Sequence, residues 1–277
     1  MPGIPEEDRD LIARAAGGDR QAFEALVRLH GGAMLRLARA ITGDDARAAD
    51  ATQDAMLGAF RGLGTFDAEK GSARGWLLSI TRNASRKTHR PALEAPLPEA
   101  EEASLMDLGA AAGWGAELDP ESNAARFEDR ERLARAIASL EASDREIILL
   151  RDVEQLSGEA TARVLGVELA AMKSRLHRAR LRLVAALRQS EGGVMASERE
   201  VGGIRCGAVL ALLGDYVDGD LAASDAARVE RHLEGCTVCE RFGGRFAHVV
   251  GHVRASLSAP PAVDEATMNR VLAQLAD

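Results

Sequence analysis

The sequence predicts an all-α protein, and three observations favour that class. Aromatic residues make up only 3% of the 277 residues, whereas strands are enriched in aromatic and β-branched side chains. Ala, Leu, Arg and Glu, which are helix formers, dominate the composition. Apolar residues recur at helical spacing, as in the run that includes Phe23, Leu26 and Leu37. There is no apolar leader and no run of about 18 apolar residues, so we expect a cytoplasmic chain without a membrane span.

The first 90 residues are predicted to form one helical domain. Asp44 and Ser72 stand where helix N-caps are expected, each before a stretch with helical apolar spacing. The loop between these two helices contains Phe66 and ends at Gly71. The predicted helices cover about residues 6–16, 19–41, 45–63 and 72–89.

Residues 91–125 are predicted to be an acidic flexible linker. The stretch has eight acidic residues, no Lys or Arg, and four of the eight prolines of the chain. Such a composition gives little apolar surface to bury. We therefore expect this segment to separate two domains.

Residues 126–190 are predicted to form a second helical domain that contains a helix-turn-helix. A capping-box pattern at Ser143–Glu146 precedes an apolar run. A short helix over Gly158–Leu165 follows, then a turn at Gly166 and a long basic helix over about 169–189. Two helices joined by a short glycine-containing turn are typical of a helix-turn-helix.

The charge pattern agrees with binding to nucleic acid despite the net charge of −8. The two helical domains are mildly basic, at +2 and +3, and the net negative charge lies in the linker, at −8, and in residues 191–277, at −5. The helix over about 169–189 has six basic residues and no acidic one. A basic helix after a short turn suits the major groove. Basic residues near Trp76 suit an unstacked single strand.

The last segment, residues 203–277, is predicted to be a small helical domain around a metal site. All three cysteines of the chain lie here, in the pattern Cys206, His232, Cys236 and Cys239. Three thiolates and one imidazole complete a tetrahedral structural Zn²⁺ site. A set of buried free thiols is the plain alternative. A weak terminal helix is expected near Thr267–Leu275.

Four sequence stretches resemble the extracytoplasmic-function (ECF) sigma factors. Two of them, DATQDAMLGAF at 50–60 and WLLSITRN at 76–83, are similar to sigma region 2. The other two, LLRDVEQLS at 149–157 and VELAAMKSRLHRAR at 167–180, are similar to sigma region 4. The resemblance covers about residues 8–188 in the order and spacing of the family.

This resemblance implies promoter recognition as a subunit of bacterial RNA polymerase, with no enzymatic activity of its own. It assigns contacts with the polymerase core, through its β′ and β subunits, and contacts with promoter DNA. The expected core-binding residues are Asp50, Gln53, Asp54 and Phe60. Arg82 and Asn83, with the 66–72 loop, would read the melted −10 element. Lys173, Ser174, Arg175, His177 and Arg178 would engage the −35 duplex.

The last domain resembles the zinc-binding anti-sigma domain. The resemblance rests on CGAVLALLGDYVDGDL at 206–221 and HLEGCTVC at 232–239. It implies an inhibitor joined to its own target, an anti-sigma domain acting in cis. An alternative is a metal- or redox-sensing domain that activates the sigma portion. A metal-dependent hydrolase is the weakest interpretation, because four protein ligands leave zinc no position for water.

Overall fold

The computed structural model describes residues 6–69, 71–88, 103–115, 130–188, 199–257 and 265–274. The described part is helical apart from one two-stranded hairpin, which confirms the predicted all-α class. None of the helices in these ranges combines the length and the apolar character needed to cross a bilayer. The helices are α1 Glu6–Ala16, α2 Arg20–Thr42, α3 Asp45–Gly62, α4 Ala73–Thr88, α5 Leu105–Ala111, α6 Arg130–Ser139, α7 Ala142–Ile148, α8 Gly158–Leu165, α9 Leu169–Leu187, α10 Cys206–Asp218, α11 Ala223–Gly235, α12 Thr237–Ser256 and α13 Glu265–Gln274.

The chain divides into two compact units that interleave along the sequence. The first contains the described residues up to 88, Leu149–Leu169 and 265–274. The second contains the described residues within 103–148 and 170–257. This division differs from the predicted one, because both units include part of the predicted 126–190 domain.

In the first unit, α1 to α4 pack around an apolar core that includes Phe23, Met56 and Leu77. Helix α8 packs against α4, and the terminal helix α13 packs against α3. Val271 of α13 is fully buried in this core. A π-helical turn over Leu149–Val153 precedes α8.

In the second unit, α10, α11 and α12 pack against one another, and α5 packs against α10. Phe242 and Phe246 of α12 are buried, with their ring centroids 6.4 Å apart. The strands Glu200–Val201 and Ile204–Arg205 pair antiparallel ahead of α10. Gly202 and Gly203 form the two-residue turn with φ of 64° and 75°, a conformation that glycine adopts without strain.

The expectation of a flexible linker over 91–125 is corrected for residues 103–115. These residues form α5 and a following turn. A capping box between Ser104 and Asp107 starts the helix, and Leu108 and Trp114 are buried. The reason is that these few apolar side chains find a partner surface, which composition alone does not reveal. The rest of the predicted linker lies outside the described residues.

Candidate functional site

The structure brings the four predicted metal ligands together in the second unit. Cys206 starts α10, His232 lies in the last turn of α11, and Cys236 and Cys239 flank the start of α12. All four residues are buried, and their ligand atoms lie within 4.8 Å of one another. The sequence spacing explains why His232 and Cys236 lie close together, because the two residues are one helical turn apart.

The distances between these atoms fit a tetrahedral metal ion. Cys206 Sγ lies 3.8 Å from Cys236 Sγ and 3.5 Å from His232 Nε2. With zinc–sulfur bonds of about 2.3 Å, the edge of a tetrahedron is about 3.8 Å. Three sulfurs and one nitrogen are also the donor set that zinc favours. The residues present therefore fit a closed zinc site.

The β-hairpin orients the histidine of this cluster. His232 Nδ1 lies 2.9 Å from the carbonyl oxygen of Ile204 and 3.1 Å from that of Val201. A proton on Nδ1 leaves Nε2 as the free lone pair, directed at the cysteines. Sequence reasoning missed this hairpin, although the Gly202–Gly203 pair between two short extended stretches was its signal.

The thiols of the cluster differ in acidity. Burial raises the pKa values of Cys206 and Cys239. The pKa of Cys236 is lowered, because backbone N–H groups at the start of α12 and the neighbouring thiols outweigh its burial.

The basic helix α9 is engaged by carboxylates of the α10 region. Lys173 Nζ lies 3.3 Å from Asp215 and 3.2 Å from Asp220. Partial burial lowers the pKa of Lys173, but the hydrogen bonds to Asp220 and Asp215 outweigh this effect and raise the pKa overall. The Arg180 guanidinium donates to Asp218 at 2.9 Å, in a pair whose side chains are 1% and 4% exposed.

Asp218 accepts from two arginines at once. Besides the bond from Arg180 on α9, Asp218 accepts a hydrogen bond from Arg254 of α12 at 2.5 Å. Sequence reasoning did not select Arg180 or Asp218 as site residues. Their separation of 38 residues gives no periodic signal.

His177 is buried between α9 and two helices of the last domain. Its ring centroid lies 5.7 Å from that of Phe246 on α12. On α10, a Cβ added at Gly214 would lie 2.8 Å from His177 Nδ1, so a glycine is needed for this approach. Burial, with a contribution from nearby Arg180, lowers the pKa of His177 to about 4.

The other predicted duplex contacts of α9 face outward. Ser174 and Arg175 are exposed, and Arg178 is half-buried. Thus Ser174 and Arg175 lie at the surface, whereas Lys173 and His177 contact the last domain within the second unit.

The predicted core-binding residues lie on α3 in the first unit. Asp50 and Asp54 are exposed and Gln53 is half-buried. Phe60 is half-buried and packs edge-on against Phe23, with ring centroids 5.0 Å apart. Phe60 therefore contributes to the core as well as to the surface.

The predicted −10 residues lie on α4 and the loop before it. Arg82 is buried and Asn83 is exposed. Phe66 and Trp76 pack edge-on, 5.5 Å between centroids, and line a cavity of about 170 Å³. Arg163 of α8 closes another side of this cavity.

A buried glutamate joins α2 and α4 to the turn before α8. Glu154, whose side chain is fully buried, pairs with Arg36 at 2.8 Å and with Arg74. In the sequence, Glu154 stands out only as one residue of the LLRDVEQLS stretch at 149–157. Nothing in its spacing from either arginine indicated this ion-pair network.

Three family profiles match the chain. They are sigma-70 region 2 over residues 26–92, sigma-70 region 4 over 130–183, and a zinc-finger family over 206–239. The third match begins and ends at cysteines of the candidate metal centre.

Curated relatives match the sigma-like portion. The RNA polymerase sigma factor CnrH of Cupriavidus metallidurans is 34% identical over 186 residues, 66% of this chain and 96% of the relative. The ECF RNA polymerase sigma factor SigM of Mycobacterium tuberculosis is 35% identical, over 68% of this chain and 88% of the relative. A solved structure of CnrH in complex with the cytosolic domain of CnrY matches with a TM-score of 0.46 and 30% identity, covering 66% of this chain and 97% of that one.

Proposed function

The chain belongs to the ECF sigma factors of RNA polymerase, and on that premise we propose that it directs the polymerase to promoters while its own C-terminal domain keeps it inactive. The zinc-finger match lies on the same polypeptide as the two sigma matches. Covalent linkage replaces a bimolecular association with an intramolecular one, at an effective concentration near millimolar for short linkers. Inhibition is then the resting state of the protein.

The observation that carries this proposal is the pairing of α9 with the carboxylates of α10 and the loop after it. Lys173 and Arg180 are basic groups of the predicted −35 helix, and Asp215, Asp218 and Asp220 occupy them. These carboxylates take the place that DNA phosphates would have. A helix engaged in this way cannot enter a major groove with its full set of basic side chains.

A second contact, within the first unit, supports the same proposal. The terminal helix α13 packs on α3, which carries the predicted polymerase-binding residues Asp50, Gln53 and Asp54. Val271 anchors it in the apolar core. The C-terminal part of the chain thus contacts both the region 2 helix and the region 4 helix.

In the released protein, we assign the roles implied by the family to the residues that match its motifs. Asp50, Gln53, Asp54 and Phe60 would contact the polymerase core, at its β′ and β subunits. The cavity beside Phe66 and Trp76, with Arg82 and Asn83, would receive the melted −10 strand, because aromatic faces and basic groups suit unstacked bases. Lys173, Ser174, Arg175, His177 and Arg178 would contact the −35 duplex. Promoter recognition takes place on chromosomal DNA, so the proposed site of action is the cytoplasm.

Zinc is the metal that we assign to the cluster, with a structural role. When bound, it would cross-link the start of α10 to the α11–α12 junction through Cys206, His232, Cys236 and Cys239. The redox- or metal-activated alternative is not favoured, because carboxylates of the Cys/His domain pair with Lys173 and Arg180 of the basic helix, which is the contact expected of an inhibitor.

The test compares the full chain with a chain that ends near Gly192. Both are mixed with core RNA polymerase, and transcription is measured from promoters that the shorter chain selects from a random-sequence library. We expect transcription by the shorter chain and at least about tenfold less by the full chain, a ratio that corresponds to a docking free energy of about 1.4 kcal/mol. Equal transcription by both chains would refute inhibition in cis, and transcription by neither would refute the sigma function.

A further inference from the structure

Residues 104–115, here called the strap, are attached to the second unit at several points. The guanidinium of Arg188 donates to the carbonyl oxygen of Ala111 at 3.1 Å. Gly109 lies so close to Leu210 of α10 that an added Cβ would be 2.6 Å from its Cδ2. The strap is therefore held by backbone and packing contacts on α10 and just beyond the end of α9.

The strap ends in a tryptophan at the metal centre. Trp114 is 1% exposed, and its backbone N–H donates to Gly109 at 2.8 Å, which closes the turn after α5. A buried indole N–H needs an acceptor, and that of Trp114 is the sulfur of Cys239. The bond lowers the pKa of the Cys239 thiol, although burial, the larger effect, raises it.

Such a donor matters for a metal thiolate. N–H groups that hydrogen-bond a ligating sulfur fix its orientation and share its negative charge, and the loss of such outer partners weakens metal binding. The neighbouring cysteines provide backbone donors of their own, but Trp114 comes from a segment more than 120 residues earlier in the chain. It therefore links the metal centre to the segment between the two sigma regions.

We propose that Trp114 is a positioning residue of the metal centre, and that the hydrogen bond from its indole to the Cys239 sulfur keeps the strap docked only while the metal is bound. This inference rests on the ligand set proposed above. Without the metal, the Cys239 sulfur is no longer held in one position as an acceptor, and the strap then loses its anchor next to the region 4 helix. The metal centre thereby acts on the inter-region connection as well as on its own domain.

The first experiment measures zinc release from the full-length, zinc-loaded chain with a colorimetric chelator. Trp114→Phe keeps the aromatic packing and removes only the N–H. We expect release about 10–100-fold faster than in the unaltered chain. Trp76→Phe, which removes the other tryptophan of the chain, is the matched control and should release zinc at the unaltered rate. A shift of the sulfur-to-metal absorption band in the Co²⁺-loaded Trp114→Phe chain is the second expected sign.

The second experiment follows the strap itself. In the Trp76→Phe chain, Trp114 is the only tryptophan, so its emission reports its environment. We expect a red shift when the chelator removes zinc. Unchanged release rates and an unchanged Co²⁺ spectrum in Trp114→Phe would overturn the positioning role. Emission that stays blue after metal removal would overturn the coupling. An unaltered chain that binds no zinc would overturn this inference and leave the transcription test of the proposed function intact.

Discussion

Asp218→Asn is the substitution expected to release the C-terminal domain from the region 4 helix most directly. The Asp218 carboxylate pairs with Arg180 of that helix, and both side chains are almost completely buried. Breaking a buried pair by removing one partner costs about 3–5 kcal/mol, because the remaining charge stays desolvated. The asparagine oxygen still accepts one hydrogen bond, so we take the lower figure of about 3 kcal/mol.

The part of this cost that comes from Arg180 falls on the docked state alone, whereas the pair of Asp218 with Arg254 lies within the last domain and is weakened in both states. In the released state Arg180 is hydrated and indifferent to the change at position 218. A difference of about 3 kcal/mol corresponds to about a hundredfold shift in the docking equilibrium. We therefore expect the full-length Asp218→Asn chain to bind promoter duplex and to support transcription far better than the unaltered chain.

The assay is transcription with core polymerase and a promoter selected as described above. Asp225→Asn is the matched control, because Asp225 pairs with Arg228 at 3.5 Å and both side chains are more than 40% exposed. An exposed pair contributes about 0–1 kcal/mol, so this variant should support as little transcription as the unaltered chain. Helix content and zinc content confirm that each variant is folded. If a folded, zinc-loaded Asp218→Asn chain supports no more transcription than the unaltered chain, the Arg180–Asp218 pair does not hold the domain on the region 4 helix.

Three further predictions follow from the same contacts. Cys206→Ser should lose zinc and destabilise the last domain, since structural zinc supplies much of the folding free energy of such a small unit; zinc stoichiometry and thermal melting check it. In the Asp218→Asn background, Arg175→Ala should weaken −35 duplex binding by about 1–3 kcal/mol if the exposed guanidinium contacts bases. The affinity is measured at low and at moderate salt. Unchanged affinity at both salt concentrations would exclude the contact. His177 has a pKa of about 4 when docked and about 6.5 when exposed, so docking is strongest above pH 6.5 and weakens as the pH falls towards 4, by about 1.4 kcal/mol per unit. His177→Gln should flatten the dependence of DNA binding on pH between 7.5 and 6, and a slope identical to that of the unaltered chain would assign it to another group.

Local patterns in the sequence determined most of the fold class and the candidate metal ligands. Helices follow from propensity, caps and apolar spacing, so the predicted helix over 45–63 agrees with α3 at Asp45–Gly62. The candidate ligands Cys236 and Cys239 follow from a spacing that one turn of chain enforces, and His232 lies one helical turn before Cys236. These features depend on residues within about one turn of each other, which is why a single sequence is enough to predict them.

Only the tertiary structure decided which distant groups meet. The pairs Arg180–Asp218 and Arg36–Glu154 join residues 38 and 118 positions apart. The strength of each pair depends on how deeply it is buried, which no sequence spacing encodes. The strap is the clearest case. Its acidic, proline-rich surroundings predict a flexible linker, yet Leu108 and Trp114 are buried on a surface formed by residues much later in the chain. Composition measures how much apolar surface a segment has, whereas order depends on whether another part of the fold offers a matching surface to bury it.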